Sequence, residues 1–260
     1  MVPRLSVIIS THKRALLLSR AINSIKNQAV EGVQIIVVSD TQDIQTYGVA
    51  NSLLSGSDIF VQRGGSPGPA GSRNLGIRMS EAEHILFLDD DDSHAPGFLA
   101  ELLKHLRPGA NEVVYCDGYV AKEARSAEAV TIQSLTQFTL GEISHDSLAV
   151  KNKIPNNCLV FPRTLLLAHQ FDESLILLED WDHLLNVLAV APLRYVPIAG
   201  PVIHQNDPAL EKTRNNSNAD KLVETTLQIY RKWPARSEPV RQARQQTLAH
   251  MGINLPASYL

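Results

Sequence analysis

Apolar residues along this chain fall into two alternating patterns. Short, nearly continuous runs occur at Leu5 to Ser10, Val33 to Ser39, Ile59 to Gln62 and Ile85 to Leu88, the signature of strands buried on both faces. Between them lie segments with helical spacing: Leu16 to Ile25, with Leu17, Ala21 and Ile25 on one face, and a shorter one around Tyr47 to Leu54. Strand, helix, strand, helix in that order predicts an α/β fold, a parallel sheet wrapped by helices. In such sheets ligands bind beyond the carboxyl ends of the strands. The residues found there are polar: Thr11 to Arg14, Asp40, the glycine-rich stretch after Arg63, and Asp89 to Asp92.

Further along, helices are expected at Ala70 to Ser80 and at Pro96 to Leu106. The segment Ala121 to Lys153 has no strong periodicity and reads as a long irregular wall beside the site. Regularity returns with the run Cys158 to Phe161, a short helix from Pro162, and the stretch FDESLILLEDWDHLLNVLAVAP. There Glu179, Asp180 and Asp182 occupy the first turn of an amphipathic helix, where acidic residues also suit the helix dipole. Arg194 to Pro197 and Pro201 to His204 read as two short strands, and Ala219 to Trp233 and Val240 to Met251 as helices around a PARSEP hinge. Asn206 to Asn218, with Lys212 and Arg214, is expected to be a mobile polar loop. No internal repeat is evident.

Composition narrows the class. The 260 residues, 44% hydrophobic and 20% charged, suit one large domain or two small ones of an ordinary globular protein. A net charge of -3 argues against nonspecific nucleic-acid binding, because no basic excess is available to displace counterions. Cys116 and Cys158 lack the spacing of a zinc site and are too few for a disulfide scaffold, which favours a reducing compartment. The opening MVPRLSVIIS is too short an apolar run for a signal peptide, and no stretch approaches a membrane span. A cytoplasmic location is expected, with peripheral membrane contact left open.

The chemistry concentrates in HILFLDDDDSHAP, His84 to Pro96. Two like charges about 4 Å apart repel by roughly 4 kcal/mol at an effective dielectric near 20, so four aspartates in a row call for a cation among them. Mg²⁺ or Mn²⁺, which take carboxylates together with substrate phosphates, suit the place. The plainer alternative is that the aspartates cap the helix that follows. The stretch GGSPGPAGSRNLGI fits neither the Gly-x-Gly-x-x-Gly fingerprint nor a phosphate loop ending in Gly-Lys-Ser/Thr. Arg73, in the first turn of the next helix, sits against the positive end of the dipole and so needs an anion or carboxylate nearby.

Taken in order, LSVIISTHKRALLLSRAINSI, QIIVVSD, GPAGSRNLGI, HILFLDDDDSHAPGFL and FDESLILLEDWDHLL resemble the family 2 glycosyltransferases, inverting enzymes of the GT-A fold. The resemblance runs from Leu5 to about His204. It implies a Rossmann-like, mostly parallel central sheet flanked by helices, with residues 1 to 205 forming the nucleotide-sugar-binding and catalytic domain. Beyond the resemblance, residues 206 to 260 are expected to form a mobile loop and a helical C-terminal extension packed on that domain. Residue by residue, the resemblance assigns Thr11 and Asp40 to the nucleotide base, with Arg14 close by, and Arg73 and Asn74 to the border of the nucleotide and its phosphates. It places the Asp-x-Asp signature on Asp89 and Asp91, with Asp90 near the ribose and Asp91 in contact with Mn²⁺ or Mg²⁺. The Glu-Asp element falls on Glu179 and Asp180, with Asp180 as catalytic base. His204 matches a histidine that in some relatives approaches the metal or pyrophosphate; a structural role for it is equally open.

The implied reaction moves a sugar from a nucleoside-diphosphate sugar, a UDP-sugar being favoured, to a hydroxyl on a glycan, a lipid-linked or another acceptor. A metal offsets charge on the leaving diphosphate and one carboxylate removes the acceptor's proton. Helical spacing turns Asp182 about 200° from Asp180, so the two should not face one acceptor. Competing readings are an aspartyl-phosphate phosphatase, whose motif belongs on a first strand; a nucleotidyltransferase, which needs a glycine-rich loop where this chain has STHKRA; and a module that binds a sugar nucleotide or glycan without catalysis.

Overall fold

A computed structural model describes residues 2–125, 130–206 and 217–260. Strand β1 (Leu5–Thr11) leads into helix α1 (Ala15–Lys26), β2 (Val33–Ser39) into α2 (Ile44–Leu53), and β3 (Ile59–Gln62) into α3 (Pro69–Met79). Then come β4 (His84–Asp89), the two-residue β5 (Ser93–His94), α4 (Phe98–His105), β6 (Val113–Arg125), β7 (Val130–Phe138) and α5 (His145–Val150). The chain continues through β8 (Leu159–Pro162), α6 (Arg163–Ala168), α7 (Glu179–Leu188), β9 (Leu193–Asn206), α8 (Ser217–Lys232) and α9 (Glu238–His250).

The sheet runs β3-β2-β1-β4-β8-β6-β9-β5, with β7 paired to β6. Its first four strands are parallel; β8 turns antiparallel between β4 and β6, and β9 lies parallel to β6. The expected α/β architecture, a central sheet flanked by helices, is therefore present. Leu5, Val7, Ile8, Ile9, Ile36, Val37 and Val38 are fully buried, which is why these strands read as unbroken apolar runs; each such side chain contributes about 1.5–3 kcal/mol on burial. Helix α3 seats closely against the sheet through Gly76, where a Cβ would come within 2.5 Å of Ile8 Cγ2.

Three expectations are corrected. The segment from Ala121 is not irregular: β6 continues to Arg125 and pairs antiparallel with β7 before α5 forms. Most of β7 is exposed, so no face of it is buried deeply enough to impose the usual alternation. The two short strands near the end are one strand, β9, whose pairing with β6 shifts register around Asp117 as the chain passes Pro197 and Pro201. The helix after the aspartates starts at Phe98 and has Gly97, in the left-handed region, at its N-cap; the aspartates therefore do not cap it. The polar stretch with Lys212 and Arg214 lies outside the described residues.

The last two helices pack on α5 and α7. Ile229, Tyr230 and Leu248 close over Trp181, while Lys232 Nζ and Trp233 Nε1 each donate to the buried Asp182 carboxylate at 2.8 Å. Arg244, fully buried, donates to the carbonyls of Ala149, Tyr230 and Trp233 and lies 4.2 Å from the Tyr230 ring centre.

Candidate active site

The carboxyl ends of β1, β2 and β4 open into a cavity of about 380 Å³. Thr11, His12, Arg14, Asp40, Arg73, Asp89, Asp90, Asp91 and Glu179 line it, with Pro69, Ser72, Ile176 and Leu177. Seven of the residues nominated from the sequence as nucleotide-sugar-binding thus meet at one place. The reason is topological: parallel strands point their last residues the same way.

A chain of hydrogen bonds fixes each acid. Asp90 accepts from Thr11 Oγ1 at 2.7 Å and from Arg14 Nη1 at 3.1 Å; burial raises its pKa, against the pull of Thr11 and Arg14. Asp40 Oδ2 accepts from the amide of Gly68 at 2.8 Å, and its Oδ1 meets His12 Nδ1 at 2.6 Å. That bond folds the glycine-rich loop over the end of β2. Gly68 adopts φ 148°, a conformation side chains rarely permit, and Pro69 then begins α3. Arg73, nearly buried, donates from Nη1 to Glu179 Oε1 at 2.6 Å and from Nη2 to Asp89 Oδ1 at 2.9 Å. The carboxylates demanded by its place near a helix start are these two.

Asp180, one residue beyond Glu179, is half-buried and is not among the residues lining the cavity. It accepts from its own neighbour's amide, Trp181 N, at 2.8 Å and from Asn152 Nδ2 at 3.1 Å. Burial pushes its carboxyl up to about 6, with Glu179 and Asp89 adding to the rise and Arg73 opposing it. Such a value lets a carboxylate both hold and release a proton near neutral pH. Asp182 faces the other way, toward Lys232 and Trp233.

Besides Asp180, two nominated residues do not line the cavity. Asn74 is turned inward, donating to Phe171 O and Glu173 Oε1 and accepting from the Phe171 amide, so it ties α3 to the loop that carries Glu173. His204 is buried at the far side of the aspartate run. Its Nδ1 lies 2.9 Å from Glu123 Oε2 and its Nε2 2.7 Å from Ser93 Oγ. Glu123 accepts only when ionised, which assigns the proton to Nδ1 and leaves Nε2 as an acceptor for Ser93. Burial, then the charge of Arg20, lowers the pKa of this histidine, against the pull of Glu123.

Sequence reasoning missed the layer behind the aspartates. Glu123, with no exposed surface, binds Arg20 and Arg125 as well as His204. Burial alone would raise its pKa, but the hydrogen bond from Arg125 and the charge of Arg20 bring it down. Arg20 reaches the carbonyl of Asp91. Asp92 accepts from the His204 amide and from Asn157 Nδ2; burial and then the charge of Asp89 push it up to about 8. Glu123 and Arg125 sit in no local motif, and it is the β6–β9 pairing that brings their strand beside His204.

Among the described residues, no three His, Cys, Asp or Glu side chains form a ready-made metal cage. The acids nonetheless suit a hard cation. Asp89 and Asp91 both face the cavity, and each spends one oxygen, Asp89 Oδ1 and Asp91 Oδ2, on an arginine. Mg²⁺ in phosphate sites takes one or two carboxylates and completes its shell with phosphate and water rather than with a protein cage.

The profile of Glycosyl transferase family 2 matches residues 6–161. A beta-1,3-glucosyltransferase of Campylobacter jejuni, named for the acceptor GalNAc(5)-diNAcBac-PP-undecaprenol, is 31% identical over 66% of this chain and 56% of its own. The succinoglycan biosynthesis protein ExoO of Rhizobium meliloti is 25% identical over 85% of this chain and 66% of its own. The chain spans a little over half the length of the Campylobacter relative. Among solved structures, S. aureus TarS 1-349 in complex with UDP-GlcNAc superposes with a TM-score of 0.66 at 17% identity, covering 96% of this chain and 73% of that one. The mannosyltransferase PcManGT of Pyrobaculum calidifontis, in complex with GDP-Man and Mn²⁺, gives 0.61 at 15% identity, covering 97% and 71%. No helix among the described residues is long and apolar enough to cross a membrane. By its ordered strands, its cavity and this match over more than half its length, the chain belongs to glycosyl transferase family 2.

Proposed function

We propose that this chain transfers a sugar from a nucleoside-diphosphate sugar to an acceptor hydroxyl, with inversion, using Asp180 as general base and a divalent cation held by Asp91 and Asp89. The observation that carries this reading is the pair of acid groups on either side of Arg73: Asp89 at the end of β4, and Glu179 with Asp180 at the start of α7. Thr11, Asp40 and His12 line the end of the cavity where a base would lie, and Arg14 and Arg73 supply positive charge beside the acids. Mg²⁺ or Mn²⁺ would stabilise the charge that develops on the departing diphosphate. Arg73 holds Glu179 and Asp89 in place, and Asp180 takes the acceptor's proton. A single base suffices for one in-line displacement; a retaining route would need a second carboxylate as nucleophile, and Asp182 is spent on Lys232 and Trp233. His204 does not line the cavity; its ring meets Ser93 and Glu123, and its backbone amide donates to Asp92.

A UDP-sugar is the favoured donor, in keeping with the TarS complex; GDP-Man in PcManGT makes guanosine the first alternative. A glycan or lipid-linked acceptor fits the printed name of the Campylobacter relative. The two free, buried cysteines fit a reducing compartment such as the cytoplasm. A module that only binds a sugar nucleotide would have no need of a base such as Asp180.

The test is a panel of nucleotide sugars with Mn²⁺ or Mg²⁺, read by thermal shift and by release of nucleoside diphosphate, since a ligand that binds only the folded state raises its apparent stability. Asp180→Asn should lower turnover about 10²- to 10⁴-fold with donor affinity unchanged, whereas Asp182→Asn should lower stability and leave the surviving folded enzyme active. If Asp182→Asn is the catalytically dead variant and Asp180→Asn transfers sugar normally, the base is misassigned.

A further inference from the structure

The last turn of α5 is held in an unusual way. Its carbonyls at Leu148, Ala149 and Val150 each receive a side-chain donor from a different helix: Trp181 Nε1 at 2.7 Å from α7, Arg244 Nε at 3.0 Å from α9, and Tyr230 Oη at 2.8 Å from α8. Helix ends leave such carbonyls without intrahelical partners, and here three consecutive ones are pinned. Two residues beyond, Asn152 meets Asp180. The amide's orientation is not free: Oδ1 accepts from the Ile154 N–H at 3.2 Å, so Nδ2 is the atom turned to Asp180 Oδ2 at 3.1 Å. Asp180 Oδ1 is occupied by the Trp181 amide, and Trp181 is the residue that pins Leu148.

We infer that Asn152 is a positioning residue for Asp180, aiming its carboxylate and holding it ionised, and that the C-terminal helices reach the site through this side chain. The inference rests on Asp180 being the base. An amide N–H donated to a carboxylate favours the charged form, so Asn152 offsets part of the rise that burial imposes. The charged groups around Asp180 are Glu179 on its own helix, Asp89 on β4 and Arg73 on α3; Lys151 and Lys153, on either side of Asn152, are exposed. Nothing in the local sequence KNKIP marks Asn152, because its role comes from the frame that α8 and α9 build under α5.

The experiment follows the Asp180 carboxyl itself. Aspartate side chains are labelled with ¹³C in the full chain, the Asp180 resonance is assigned by its absence in Asp180→Asn, and its titration is compared between the natural chain, Asn152→Ala and Asn152→Asp. Loss of the donor should raise the midpoint by roughly half a unit to one unit, and a second carboxylate at 152 by more. With UDP-GlcNAc and Mn²⁺ as probe, the acidic limb of the UDP-release profile should move up by the same amount, while the KM for UDP-GlcNAc stays put. An Asp180 midpoint that is unchanged in both variants overturns the inference. Should Asn152→Ala fail to fold, the near-isosteric Asn152→Asp decides alone. If Asp180→Asn releases UDP at the natural rate while the midpoint still moves in the Asn152 variants, the base assignment fails and Asn152's hold on the carboxylate stands.

Discussion

Arg73 and Glu179, 106 positions apart in the chain, meet at 2.6 Å with the arginine side chain only 5% exposed. The same guanidinium reaches Asp89, so one side chain joins the end of β4 to the start of α7. Removing a partner from a buried ion pair leaves an uncompensated charge, at a cost of about 3–5 kcal/mol. Arg73→Leu should show that loss in denaturant unfolding. Arg73→Lys should recover only part of it, because a point charge cannot span two carboxylates as a planar fork does.

The Asp91 carboxylate lies 28% exposed, and its ion-pair partners are Arg14 at 3.1 Å and Arg125 at 3.9 Å. Asp91→Ala should therefore keep the melting temperature within a few degrees while losing metal-dependent binding of UDP. Titration calorimetry of UDP with and without Mn²⁺ checks this. Unchanged metal dependence would remove Asp91 from the cation.

Arg244 is fully buried, with no acid in salt-bridge contact among the described residues. Its charge is met instead by the carbonyl ends of α5 and α8, the negative poles of two helix dipoles. Arg244→Met would orphan these acceptors, each worth about 1–3 kcal/mol when buried unpaired. A drop of about 3 kcal/mol in unfolding free energy is expected, with the tail helices loosening first in hydrogen exchange.

His94 and His183 are buried so completely that each is pushed down to about 3. The unfolded chain takes up these protons from about pH 6.5 downward, and the folded one does not until about pH 3. Folding stability should therefore fall as pH drops through that window, by up to about 1.4 kcal/mol per pH unit for each histidine. His94 has neither ring nitrogen paired among the described residues, so His94→Leu should flatten the slope. Urea midpoints at pH 7 and pH 5 measure the effect.

The cavity at the strand ends was legible because strands covered on both faces leave unbroken apolar runs, and the residue after each run then falls at the carboxyl edge of the sheet. Thr11, Asp40 and Asp89 to Asp91 follow from that rule. Even the opposite orientation of Asp182 follows from helical rotation. Glu123 and Asn152 do not follow. Glu123 is buried near the end of β6, opposite the largely exposed β7, and Asn152 meets Asp180 only because α5, with α8 and α9 bonded to its last turn, packs beside α7. In β9 the prolines that suggested a break are absorbed by a register shift against β6.

The order of these parts along the chain has a further consequence. Most of the side chains lining the cavity belong to residues 10 to 91, with Ile176, Leu177 and Glu179 the exceptions, whereas Asp180 and the frame beneath it are assembled from residues 148 to 244. On the function proposed above, recognition of the donor and activation of the acceptor would thus be written largely in separate stretches of the gene, joined chiefly by Arg73 on one side and Glu179 on the other. A lineage could exchange or remodel the downstream stretch to suit a new acceptor and, provided a glutamate returned to meet Arg73, inherit the nucleotide cradle intact.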